Sequence, residues 1–98
     1  MGKTFEEYAA EYARDPYPFP MPGGASVPVP RPDLKTEMAA VKAATAAETL
    51  GDGLLAGLQV YAGDTDGKKI ADAWEKLPTG ALADAVAAMR DYFGTKNS

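Results

Sequence analysis

The sequence has no cysteine and no histidine. Their absence excludes disulfide staples, thiol nucleophiles, imidazole general bases and the commonest zinc and haem ligands. Serine is scarce as well: Ser26 and Ser98 are the only two, with no imidazole to activate either. Basic charge is in deficit, ten Lys+Arg against fourteen Asp+Glu for a net charge of −4. A chain without a basic surplus has few counterions to release from phosphate, which argues against nucleic acid and anionic membrane surfaces as partners. No apolar run approaches the roughly 20 residues that span a bilayer, and the N-terminus lacks a signal-peptide core. These absences point to one soluble domain of 98 residues. The expectation is a binder, not an enzyme, with no cofactor and no metal.

Bulky apolar side chains are also few. Nineteen of the hydrophobic residues are Ala, whereas Leu, Ile, Val and Phe together number sixteen. A core built from so little bulk is thin. Part of its apolar surface is therefore expected to be completed by a partner or by another copy of the chain.

The residues present divide the chain into an N-terminal helix over 1–15, a proline-rich arm over 16–32, a helical domain over 33–94 and a tail over 95–98. Thr4 with Glu7 fits a capping box, and Phe5, Tyr8 and Tyr12 follow at helical spacing until Asp15-Pro16 stops the helix. This aromatic stripe has two readings, packing on its own domain or docking on another molecule. Seven of the eight prolines fall between Pro16 and Pro32, alternating with apolar residues on either side of Gly23-Gly24. Two extended arms about a glycine pair suggest a hairpin with Tyr17, Phe19 and Met21 on one face and Val27 and Val29 on the other arm. Proline cannot donate to a ladder, so the choice is between an edge hairpin that offers its apolar face to a partner and a polyproline II linker.

From Asp33, a good N-cap, the pattern turns helical with Leu34, Met38, Val41 and Thr45 at three- and four-residue steps. Gly51-Asp52-Gly53 reads as a break. A further helix carries Leu54, Leu55, Leu58 and Tyr61 to a stop at Gly63, with Gly57 as a weak spot or a close crossing. Asp64-Thr65-Asp66 offers N-caps for a helix with Ile70, Trp74 and Leu77, which Pro78 ends. Thr79 caps a last helix with Leu82, Val86, Met89 and Phe93 on one side, Gly94 just past its end and a frayed tail beyond. Such stripes are ordinarily core, and short connections make neighbours antiparallel. The fold expected is mostly α, a small bundle of about four to five short helices with an N-terminal Pro-rich extended or β-hairpin arm.

Reactive constellations are missing. Asp64, Asp66 and Asp52 lack the terminal Glu of a calcium loop and are better explained by helix capping. The glycines form neither a dinucleotide fingerprint nor a phosphate loop.

The order "YPFPMPGGASVPVPRP", "DLKTEMAAVKAATAAETLGDGLL", "GKKIADAWEKLP" and "PTGALADAVAAMRDYFG" resembles the tail assembly chaperones of long-tailed bacteriophages. The likeness is greatest to those of phages infecting actinobacteria, and to the shorter of their two products. The resemblance covers roughly residues 17–94 and leaves the Phe5/Tyr8/Tyr12 helix outside it. It implies a protein of the host cytoplasm that binds the tape measure protein and keeps it soluble while the tail tube polymerises. It further implies contact with the tail tube protein and with a longer chaperone made by programmed frameshifting, a possible homo-oligomer, and absence from the mature virion. Lys96-Asn97 can be encoded by an adenine-rich slippery run. No motif-level binding residues carry over. The partner-contact candidates come from the bulky residues themselves: Tyr17, Phe19, Met21, Val27 and Val29 on the arm, then Trp74, Met89, Tyr92 and Phe93, which the bundle core also has reason to claim. Two other classes remain open: a structural virion part such as a head–tail connector or decoration protein, and a small regulatory protein that binds a host factor.

Overall fold

The computed structural model describes residues 2–95. The tail beyond Thr95, with the Lys96-Asn97 pair, lies outside the described residues. Within them the chain forms five α-helices and one two-stranded antiparallel sheet, the mostly helical fold with an N-terminal hairpin that the sequence leads one to expect.

Helix α1 (Phe5–Glu11) begins in the expected capping box: Thr4 Oγ1 accepts from the Glu7 amide, and the Glu7 carboxylate accepts from the Thr4 amide. It ends at Glu11 with Tyr12 as C-cap, three residues before Asp15. None of its residues is buried.

Strands β1 (Tyr17–Pro20) and β2 (Ser26–Val29) then pair, with Tyr17 opposite Val29, Pro18 opposite Pro28, Phe19 opposite Val27 and Pro20 opposite Ser26. Alternation makes this hairpin possible. An antiparallel ladder needs N–H groups only at every second pair, and the prolines occupy the pairs between. The turn over Pro22–Gly24 requires two residues in the left-handed region, and Gly23 (φ 74°) and Gly24 (φ 77°) supply them. The Met21 amide closes it onto the Ala25 carbonyl at 2.9 Å.

Helix α2 (Leu34–Ala46) starts on Asp33, whose carboxylate accepts from the Thr36 amide at 2.8 Å. That hydrogen bond to the charged form holds the Asp33 carboxyl below its ordinary range. Helix α3 (Leu50–Ala62) starts earlier than expected, because Thr49 caps the Asp52 amide and the chain bends at Ala47–Thr49. Gly51 and Gly53 are therefore inside α3 and do not break it. Gly53 is there for packing, since a Cβ on it would fall 3.1 Å from the Ala44 carbonyl oxygen.

Gly63 (φ 91°) both ends α3 and begins α4 (Asp64–Trp74), so the two helices share one left-handed residue. Asp64 and Asp66 sit in the first turn of α4, where their charges oppose the positive end of the helix dipole, and make no side-chain cap. The α4 helix stops at Trp74, leaving Leu77 outside it and half exposed. Helix α5 (Thr79–Gly94) opens with Pro78 in the capping position and Thr79 already helical, and Gly94 is its last residue.

The elements arrange around α3, which packs against α2, α4 and α5, while β1 packs on α5 and β2 on α3. One core results. Phe19, Val27 and Val29 from the hairpin join Leu58, Ile70, Leu82, Val86, Met89 and Phe93 from α3, α4 and α5. Hairpin and helices thus fold as one unit across the expected boundary at Pro32. The radius of gyration is 14.4 Å, above the about 13 Å of a compact domain this long. An N-terminal helix without buried residues agrees with that excess.

Candidate interaction surface

The nine residues expected to touch a partner come together, but mostly inside the chain. Phe19, Val27, Val29, Met89 and Phe93 are buried in the core, and Tyr17, Met21, Trp74 and Tyr92 are half-buried against it. The ring of Tyr17 sits 5.3 Å from Tyr92 and 6.3 Å from Phe93. The apolar face of the arm is thus turned inward onto α3 and α5, not offered to solvent. Neither reading of the arm made from the sequence describes this: it is a paired hairpin, and its own domain covers it.

What faces outward is a stripe the sequence reading placed in the core. Leu34, Met38 and Val41 on α2 are 71%, 64% and 56% exposed. The reason lies on the opposite side of the helix. Ala40, the one buried residue of α2, belongs to an alanine face (Ala40, Ala43, Ala44, Ala47) that meets the glycines of α3. A Cβ on Gly53 would fall 3.1 Å from the Ala44 carbonyl oxygen, and one on Gly57 would fall 3.9 Å from that of Ala40. Small residues let the two backbones approach, and close approach of α2 leaves its larger side chains pointing away. Alanine at positions with i, i+3, i+4 spacing is a signal the sequence carried, but bulk outweighed it.

Beside this stripe a groove opens between α2 and α5, with α3 as its floor. It encloses about 250 Å³ and is lined by Val41, Ala44, Leu54, Tyr61, Val86 and Arg90 among others. A second hollow of about 310 Å³ shares Val41, Tyr61 and Arg90 and extends the groove toward Tyr12 and Arg31. Small-molecule sites usually enclose about 300–1,000 Å³ and bring several convergent polar groups to one ligand. Arg90 is the sole charged residue lining the first hollow. The surface suits apolar side chains presented by another helix.

The N-terminal segment reaches the groove at one end. Arg31 lies over the Tyr12 ring, 5.5 Å from its centroid. Arg14 Nε donates to the Tyr92 carbonyl at 3.1 Å while its guanidinium covers the Tyr92 ring at 4.6 Å, and the Tyr92 hydroxyl donates to the Asp15 carbonyl at 3.0 Å. Beyond this anchor Phe5 is 81% and Tyr8 51% exposed, with Lys3 over the Tyr8 ring and paired with Glu11. Of its stripe, Tyr12 packs under Arg31, and Phe5 and Tyr8 face solvent.

Among the described residues no group of three or more Asp or Glu could hold a metal ion, and no helix is long and apolar enough to cross a membrane. No protein-family model matches the chain, nor does any curated protein or solved structure.

Proposed function

We propose that this chain is a bacteriophage tail assembly chaperone, which covers apolar helical segments of the tape measure protein until the tail tube replaces it. One observation carries the reading: a finished, single-core domain leaves the Leu34–Met38–Val41 stripe exposed beside an open apolar groove. Burying a Leu, Met or Val side chain is worth about 1.5–3 kcal/mol, so covering these partly exposed ones yields on the order of 3–6 kcal/mol before ordering costs. Once those costs are subtracted, a single site of that strength holds its client no tighter than tens of micromolar. Weak single contacts fit a chaperone that must let go. Hold on a long client comes from many copies bound along it, and the acidic surface keeps the assembly dispersed.

Co-expression with the tape measure protein from the genome that carries this gene tests the proposal. Wild-type chain is expected to keep the client in the soluble fraction. A Met38→Asp/Val41→Asp variant is expected to fold normally and leave the client aggregated. Mass spectrometry of purified particles is expected to find the chain missing. A genome without a tape measure gene, a client soluble by itself, or a variant as protective as wild type contradicts the proposal.

A further inference from the structure

The Phe5–Tyr8 edge of α1 is exposed, and an apolar groove lies open between α2 and α5. We propose that two copies pair by exchanging α1, the Phe5–Tyr8 edge of each lying in the α2–α5 groove of the other. The groove is the one the tail-assembly reading assigns to a client helix, so α1 of the second copy and a client compete for it, and the test below uses the chain without any client.

Closure within one chain is opposed by the anchor at the base of α1. Swinging Phe5 and Tyr8 back over the groove requires breaking the Arg14–Tyr92 and Tyr92–Asp15 hydrogen bonds and lifting Tyr12 from Arg31. The anchor therefore presents the stripe to another molecule. Charge selects what that molecule is. Between Phe5 and Glu11 there are three carboxylates, of which Glu11 is paired with Lys3, so the segment keeps a net negative charge. The groove and its extension are lined by Arg31 and Arg90 against the single carboxylate of Glu37. Size agrees: seven residues make a helix about 10 Å long, and hollows of about 250 and 310 Å³ take a few side chains at most. Because arm and groove belong to one chain, a two-fold axis fills both at once and the assembly closes at two copies.

Sedimentation equilibrium on the full chain tests this, with two variants at exposed positions. Phe5→Asp/Tyr8→Asp removes the arm's apolar edge, and Val41→Asp/Arg90→Glu spoils the groove. Circular dichroism is expected to be unchanged in both. Wild type is expected to dimerise and each variant alone to be monomeric. The equimolar mixture, which retains one intact arm and one intact groove per pair, is expected to recover a weaker dimer. A wild type that stays monomeric at its highest soluble concentration overturns the proposal. So does an arm variant that still dimerises, which would place the contact elsewhere, or a mixture that never pairs.

Discussion

The Phe19 ring meets the Trp74 indole nearly edge-on, with centroids 5.3 Å apart, and the next residue, Pro20, accepts the indole N–H through its carbonyl at 2.8 Å. The proline-rich arm is latched to α4 by this pair. Phe19 is fully buried, so Phe19→Ala is expected to cost about 3–5 kcal/mol. Phe19→Asp puts an unpaired charge in the core and is expected to unfold the chain. Urea melts followed by the fluorescence of the single tryptophan check both. Native emission and helicity retained in Phe19→Asp would mean the arm lies outside the core.

Two glycines in adjacent crossings are expected to respond oppositely to alanine. A Cβ on Gly67 would fall 2.7 Å from Gln59 Cα, a backbone atom that cannot step aside, so α4 must move off α3. Gly67→Ala is expected to destabilise by about 1–3 kcal/mol. Gly57 meets nothing closer than the Ala40 carbonyl oxygen at 3.9 Å. There the gain in helix propensity dominates, and Gly57→Ala is expected to stabilise by up to about 1 kcal/mol. Chemical denaturation of the two variants side by side measures the difference.

The outer face of α2 is expected to tolerate charge. Leu34→Asp and Met38→Asp alter side chains that are mostly in solvent, and each is expected to change stability by no more than about 0.5 kcal/mol. Thermal melts check this. A large loss would show that the stripe is covered within the chain's own fold.

Stability is expected to fall in acid partly through Asp33. Its carboxyl is held below the ordinary value by the Thr36 amide. A depressed carboxyl stabilises the folded state above the unfolded value of 3.8, and the contribution disappears as pH falls from there through the folded value. Asp33→Asn keeps a capping acceptor and is expected to flatten that part of the pH profile, whereas Asp33→Ala lowers the melting temperature at neutral pH as well. Melting curves between neutral pH and strong acid distinguish the three chains.

Local chemistry was legible wherever a short-range rule decided the outcome. The Thr4–Glu7 box, the Asp33 cap and the stripe of Leu82, Val86, Met89 and Phe93 follow from spacing alone, whereas spacing left the arm about Gly23-Gly24 open between the observed hairpin and a polyproline II linker. The misreadings share one cause, which is that sequence spacing tells which residues share a face but not what that face meets. Alternation put Phe19, Val27 and Val29 on common sides, yet their burial depends on α3 and α5 lying beneath them. The Leu34–Met38–Val41 stripe looked like core because bulk usually marks the inside. Here Ala44 meets Gly53, and close backbone approach outweighs side-chain bulk. Gly53 reads as part of a helix break because its need for space comes from a neighbouring helix, invisible to local propensity.

The most direct measurement is a nitrogen-15 NMR titration of the chain with a soluble helical segment of the tape measure protein. The amides of Leu34, Met38, Val41, Tyr61 and Arg90 are expected to shift together and saturate, while those of the core residues Phe19 and Ile70 stay in place. Shifts confined to another face, such as that of the exposed Leu77, or no shifts at all, would contradict the assignment of α2 and its groove as the surface a partner completes.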